Sequence, residues 1–190
     1  MKIGLYFGSF NPVHVGHLII ASHIADNTDI QQVWFIVSPQ NPLKKSISLL
    51  NAYHRLHLVQ LAIEDDIRLK ASNVEFNLPK PSYTIDTLAY LKEKYPQHEF
   101  FVILGSDSFS NLQKWKNYEQ LISENTLIVY PRPGFTVSEK INTNTIVVEA
   151  PFLEISSTMI REIIKAKKSI RYLVPEKVRE EIEENNYYKG

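Results

Sequence analysis

Hydrophobic residues run along this chain in two alternating patterns. Five short segments, Lys2 to Phe7, Gln32 to Ser38, Phe100 to Leu104, Thr126 to Tyr130 and Thr145 to Val148, are mostly apolar throughout rather than apolar on every second position. Strands that read this way are covered on both faces, as in a parallel sheet. Between them, Leu18 to Ala25, Ala52 to Ile63 and Ile85 to Leu91 repeat apolar positions at helical spacing, the last running out just before Tyr95-Pro96. Strand alternating with helix predicts an α/β fold with a doubly wound parallel sheet. The acidic stretch Glu176 to Glu184 reads as a solvated terminal helix. No internal repeat or low-complexity stretch interrupts the pattern. The 190 residues therefore predict one domain, 1–190, with a C-terminal helical part from about 156 to 190.

Charge narrows the partners. Twenty-one basic and twenty-one acidic side chains cancel, which leaves no global field to hold a nucleic acid or an acidic membrane surface, so any phosphate binding must be local. Cysteine is absent, which excludes disulfides and thiolate metal sites. With no apolar run of membrane-spanning length and an N-terminus that breaks into Gly8-Ser9, the expected location is the cytoplasm.

An open parallel sheet binds ligands beyond the carboxyl ends of its strands, and three such positions stand out. After the first strand comes Gly8-Ser9-Phe10-Asn11-Pro12-Val13-His14-Val15-Gly16-His17. A glycine turn ahead of a helix start can present backbone N–H groups to a phosphate. His14 and His17, three apart, share a face once the helix has begun, and Gly16 permits close approach of a ligand or backbone. A tight turn with two surface histidines is the plainer alternative. His54 and His57 have the same spacing inside a helix without such a turn, and are assigned to solvent or packing. Near the C-terminus, Ile155-Ser156-Ser157-Thr158-Met159-Ile160-Arg161 has hydroxyls where a helix would be capped and a cation one turn in. That is either an anion site or ordinary capping. Leu104-Gly105-Ser106-Asp107-Ser108 follows a central strand. Gly105 there would let a nucleoside lie against backbone and Asp107 could accept from ribose, or the segment is a plain cap.

The first segment resembles the G-[ST]-F-x-P-x-H-x-G-H signature of the nucleotidyltransferase superfamily, and the second its I-S-[SA]-T-x-[IV]-R motif. The third is similar to the G-x-D-[SA] element of the same group. The resemblance implies a Rossmann-like sheet of the nucleotidyltransferase type and an ATP site formed by Gly8, Ser9, Phe10, His14, His17, Gly105, Asp107, Ile155, Ser156, Ser157, Thr158 and Arg161. For the second substrate, Pro81-Ser82-Tyr83-Thr84-Ile85-Asp86-Thr87-Leu88, Trp115 and Pro131-Arg132-Pro133-Gly134 resemble elements of the nicotinate-nucleotide enzymes. Asn41-Pro42-Leu43-Lys44 stands where those enzymes have a proline-rich loop commonly ending in His-Lys, with Leu43 in place of the His. The implied nicotinate mononucleotide site comprises Asn41, Lys44, Tyr83, Thr84, Trp115 and Arg132. A helix start at Thr84 suits a carboxylate, and the Trp115 face suits a cationic pyridinium ring. Each also has a plain reading, as a cap or as core packing.

What the resemblance implies is transfer of the adenylyl group of ATP to nicotinate mononucleotide in NAD biosynthesis. His17 would act on the α-phosphate, His14 and Arg161 on the β,γ side, and Lys44 on phosphate charge. A phosphate monoester is an adequate nucleophile, so no general base is required. Mg²⁺ would arrive with ATP, since no third ligand joins His14 and His17 to make a protein metal site. Pantetheine-phosphate adenylyltransferase shares the turn but usually has Thr at the first histidine and is shorter. A cytidylyltransferase is the next reading, and an idle nucleotide-binding regulator is disfavoured by the retained His14, His17, Lys44 and Arg161. The sequence leaves a homo-oligomer open.

Overall fold

The computed structural model describes residues 1–40, 49–135, 137 and 144–189. Six strands form one all-parallel sheet: β1 (Lys2–Gly8), β2 (Gln32–Val37), β3 (Leu69–Ser72), β4 (Glu99–Gly105), β5 (Thr126–Tyr130) and β6 (Thr145–Val147). Their order across the sheet is β3-β2-β1-β4-β5-β6, the doubly wound arrangement expected from the apolar strands. β3 was not expected. It is an edge strand of four residues, Leu69-Lys70-Ala71-Ser72, paired only with β2 and half-buried or exposed throughout. A strand that buries so little carries no apolar run to announce it.

Pleating separates the side chains of each strand onto two faces. Tyr6, Val33, Phe35, Val37, Phe101 and Ile103 pack on one face with α1 (Val15–Asn27), α2 (Ala52–Ile63), α6 (Ser157–Lys165) and α7 (Glu176–Glu184). Ile3, Leu5, Trp34, Ile36 and Val102 pack on the other with α3 (Thr84–Lys94), α4 (Ser106–Phe109) and α5 (Tyr118–Glu124). Truncating a fully buried leucine such as Leu5 or Leu88 in such a core costs about 2–5 kcal/mol.

The C-terminal helices share the first core. Ile160 and Ile164 of α6, with Val178 and Ile182 of α7, lie in one cluster with Ile20 and Ile24 of α1 and Leu58 of α2. α7 is the solvated acidic helix the sequence describes, anchored by only two buried residues. From α2, His57 faces this helix and His54 faces the segment that follows it. The His54 Nδ1 lies 2.9 Å from the Tyr187 hydroxyl, and His57 Nε2 lies 3.8 Å from Glu181. Both are surface packing contacts, as expected. Among the described residues no helix is long and apolar enough to cross a membrane.

Candidate active site

The strand order reverses between β1 and β4, the point at which a crevice opens beyond the carboxyl ends of a doubly wound sheet. A cleft of about 300 Å³ lies there. The β1–α1 turn lines it from Gly8 to Asn11 with His14 and His17. Asp107 follows β4, Arg132 follows β5, and Ser156, Ser157, Thr158 and Arg161 open α6. The segments that the sequence set at opposite ends of the chain thus meet in one cavity.

His14 is the N-cap residue of α1, in extended conformation, and His17 is three residues on. Their rings stack with centroids 3.7 Å apart and planes 25° from parallel. The His14 backbone N–H donates to His17 Nδ1 at 3.3 Å. Because Nδ1 accepts, the neutral ring carries its proton on Nε2, where it is a donor. His14 is 4% exposed. Burial, together with the nearby Arg132 charge, lowers its pKa from the ordinary 6.5 to about 4. No described residue partners its Nδ1.

Gly16 and Gly105 both make room for side chains of the protein itself. A Cβ at position 16 would lie 3.0 Å from His14 Nδ1 and 3.1 Å from Cε1, so Gly16 makes room for the first histidine's own ring rather than for a ligand. A Cβ at position 105 would lie 2.5 Å from Asp107 Oδ1 and 2.9 Å from Arg132 Cγ. That space is held by a carboxylate and an arginine stem of the protein itself. In the first turn the residue with left-handed backbone is Phe10, at φ 45°, and not Gly8, which ends β1.

The start of α6 is both capped and docked. Ser156 Oγ accepts from Met159 N–H at 3.2 Å, as a capping reading predicts. Ser157 Oγ donates to the Pro12 carbonyl at 2.8 Å, and Arg161 donates to the Asn11 carbonyl at 2.7 Å and to Thr158 Oγ1 at 3.2 Å. Arg132 opens a β-turn closed by Phe135 N–H on the Arg132 carbonyl (3.1 Å), with Gly134 at φ 80°. Buried Ser106 clamps that turn, accepting from Arg132 N–H at 2.8 Å and donating to the Phe135 carbonyl at 3.1 Å.

Other expected residues are not in this cleft. Gly105 and Ile155 do not line it, and neither do Tyr83, Thr84 and Trp115. Tyr83 caps α3 and Thr84 is its first residue. Trp115 is half-buried against the second core. The two segments are connected: Lys116 pairs with Asp86 at 2.8 Å and lies 4.9 Å from the Tyr83 ring centroid. Asn41, Leu43 and Lys44 lie outside the described residues.

Several residues escaped sequence reasoning. Glu75, 2% exposed, accepts from Ser82 Oγ at 2.6 Å and from Thr87 Oγ1 at 2.9 Å. Burial raises its pKa, and the hydroxyls of Ser82, Ser38 and Thr87 counter this. Hence two hydroxyls of the S-Y-T-x-x-T-L segment hold a buried carboxylate. Tyr6 and Tyr130 are buried with hydroxyls 3.0 Å apart at the cleft floor, and burial raises both pKa values. Arg55 of α2 is fully buried. The signal for it was an arginine on the same helical stripe as Leu58 and Val59, a position that should be apolar.

The chain has clear relatives among known proteins. A family model described as cytidylyltransferase-like matches residues 5–163, which sets the class. A relative from Flavobacterium psychrophilum named "Probable nicotinate-nucleotide adenylyltransferase" is 52% identical over the whole of both chains. One of the same name from Bacteroides thetaiotaomicron is 45% identical over 97% of this chain and 92% of its own. The chain belongs to the nicotinate-nucleotide adenylyltransferase family. Its fold matches that of a Plasmodium falciparum nicotinic acid mononucleotide adenylyltransferase complexed with NaAD, with a TM-score of 0.85, 23% identity, and coverage of 98% of this chain and 97% of that one.

Proposed function

We propose that this protein transfers the adenylyl group of MgATP to nicotinate mononucleotide, forming nicotinate adenine dinucleotide and pyrophosphate. The carrying observation is the convergence of His14, His17, Arg132 and Arg161 with the capped start of α6 on one cleft, in a chain 52% identical over its full length to a relative named for this activity. A triphosphate needs several preorganised donors, and this cleft supplies imidazole, guanidinium and helix-start N–H groups together.

An oxygen of the nicotinate mononucleotide phosphate attacks the α-phosphorus in line. As that P–O bond forms, the bond from the α-phosphorus to the bridging oxygen breaks, and the electron pair leaves with pyrophosphate. His17, donating from Nε2, is assigned to the α-phosphate oxygens. His14, Arg161, Ser156, Ser157 and Thr158 are assigned to the β,γ side, and Lys44 to phosphate charge. Gly8, Ser9, Phe10 and Asp107 complete the proposed ATP site in the cleft, with Gly105 and Ile155 assigned to its border, two residues before Asp107 and one before Ser156. Asn41, Tyr83, Thr84, Trp115 and Arg132 are assigned to nicotinate mononucleotide. The first turn of α3 has no side-chain cap from Tyr83, and the Asp86 N–H is taken by the Tyr83 carbonyl at 3.0 Å, so the groups assigned to a carboxylate are the Thr84 and Ile85 N–H. Magnesium enters with ATP as part of the substrate. Among the described residues no group of three His, Cys, Asp or Glu could hold a metal ion, and phosphate oxygens suit a hard cation. Substrates of this charge do not cross membranes unaided, so the proposed location is the cytoplasm.

Pyrophosphate release from MgATP, measured separately with nicotinate mononucleotide, nicotinamide mononucleotide and phosphopantetheine, tests the reading. Nicotinate mononucleotide should give the highest turnover. Turnover with phosphopantetheine alone would refute the assignment.

A further inference from the structure

Arg55 is a charged side chain in an apolar layer, and what it contacts is unusual. Its Nε donates to the Leu50 carbonyl at 2.8 Å, Nη1 to the carbonyls of Ser9 and Ser38 (2.9 Å to the latter), and Nη2 to the Pro39 carbonyl at 3.2 Å. Among the described residues no carboxylate pairs with it. Its four acceptors are all backbone, two of them at the end of β2 and one in the turn after β1. It does not line the cleft but lies behind that turn.

Peptide planarity gives this a consequence for the cleft. In a trans peptide the carbonyl of one residue and the N–H of the next point in opposite directions. The Gly8 carbonyl accepts from Ser38 N–H at 2.9 Å, so the Ser9 N–H is turned away from β2. The Ser9 carbonyl is held by Arg55, so the Phe10 N–H is turned away from Arg55. Ser9 and Phe10 both line the cleft, and Phe10 has the left-handed φ of 45° that lets successive N–H groups converge into an anion nest. Among the described residues neither N–H has an acceptor.

We propose that Arg55 is a positioning residue for the phosphate site: by holding the Ser9 carbonyl it turns the Ser9 and Phe10 N–H groups onto the anion that binds beside His14 and His17. This rests on the adenylyl-transfer reading for the identity of the anion, a phosphate of ATP or pyrophosphate. Arg55 never touches substrate. Lysine cannot take its place, because an ammonium lacks the planar fork that reaches four carbonyls at once.

Two measurements test it. Titrating inorganic pyrophosphate into the ¹⁵N-labelled wild-type protein should move the amide resonances of Ser9 and Phe10, and still resonances at saturation would overturn the proposal even if Arg55 variants fail to fold. Arg55→Lys, on its folded fraction, should raise the KM for ATP about tenfold or more while leaving the KM for nicotinate mononucleotide near wild type, and should weaken the pyrophosphate response of both amides. A lower melting temperature with unchanged KM for ATP and unchanged amide response would make Arg55 merely structural, and the proposal wrong. The pyrophosphate titration involves no acceptor nucleotide. Absence of turnover with nicotinate mononucleotide therefore counts against the proposed function, and a silent Phe10 amide against this inference.

Discussion

Arg161 donates to the carbonyl of Asn11 across 2.7 Å of space and 150 residues of chain. With Ser157 on the neighbouring Pro12 carbonyl at 2.8 Å, this bond docks the start of α6 on the turn that carries His14 and His17. Sequence-distant groups are thereby joined through the protein's own hydrogen bonds, which is the kind of contact preorganisation requires. It gives Arg161 a duty to the fold beside the proposed one to the anion.

Replacing Arg161 separates those duties. Arg161→Ala should raise the KM for ATP by about 10- to 100-fold, the equivalent of losing a charge-assisted hydrogen bond of about 1.5–3 kcal/mol. The melting temperature should fall as well, because the Asn11 carbonyl loses its donor. Isothermal titration with nicotinate mononucleotide should show little change. Calorimetry showing weakened mononucleotide binding with intact ATP binding would remove Arg161 from the triphosphate site.

His17 carries the tightest expectation about chemistry. His17→Ala should remain folded by circular dichroism and lose about 10²- to 10³-fold in kcat, the usual effect of removing one preorganised donor. A variant retaining more than about a third of wild-type turnover has lost under 1 kcal/mol, too little for a group that stabilises charge on the transferring phosphoryl.

The sheet and its cleft were legible because their signals are local. Buried parallel strands are apolar throughout, as β1, β2, β4 and β5 are, and Gly8 to His17 and Ile155 to Arg161 carry their chemistry in consecutive residues. What escaped depends on distant partners. Glu75 is two residues before Asn77 and reads as an ordinary surface acid until α3 brings Ser82 and Thr87 onto it. Ser106 looks like a cap residue, and only the arrival of the turn after β5 makes it the clamp of Arg132. Gly105 and Gly16 were legible as required glycines, but the groups that need the room, Asp107, Arg132 and the His14 ring, are visible only in three dimensions.

His14 makes stability depend on pH in a stated direction. Its pKa falls from 6.5 to about 4 on folding, chiefly through burial with Arg132 adding repulsion. Between those values the unfolded chain binds a proton that the folded chain refuses, so stability drops as pH falls from 6.5 towards 4. The full effect corresponds to about 3 kcal/mol. His14→Gln should lack this component. Urea denaturation of both proteins at several pH values between 7 and 4 should show the variant gaining on wild type as pH falls, and a constant difference would contradict the buried neutral imidazole.

The Glu75 cluster sets the position of α3. Thr87→Val keeps shape but removes the donor to Glu75 Oε1, leaving a buried carboxylate oxygen short of a partner at a cost of about 1–3 kcal/mol. In a chain of this size that is a fall of several degrees in melting temperature, at about 2–4 °C per kcal/mol. Glu75→Gln in the same background should recover part of it, because a neutral amide is less costly to leave incompletely bonded. Failure of the second change to recover any stability would show that charge is not what makes the site costly.

The proposed carboxylate site at the start of α3 predicts selectivity for the acid over the amide substrate. Tyr83 makes no side-chain cap, so the first-turn N–H groups at Thr84 and Ile85 keep no side-chain partner from it. A pyridine carboxylate can accept from such groups with both oxygens, in bonds worth about 1.5–3 kcal/mol. An amide has one acceptor and would set its NH₂ against a second donor, which leaves both unpaired. Trp115 contributes to neither preference, since both substrates carry the same cationic ring and stack equally on an indole face. The wild-type enzyme should therefore prefer nicotinate over nicotinamide mononucleotide in kcat/KM by about tenfold or more. Trp115→Ala should lower both values and leave their ratio within about a factor of three, a difference under 1 kcal/mol. Equal efficiency with the two substrates would refute a carboxylate site at the start of α3. It would leave the adenylyl-transfer chemistry standing, because that rests on His14, His17 and Arg161 in a cleft that Thr84 and Trp115 do not line.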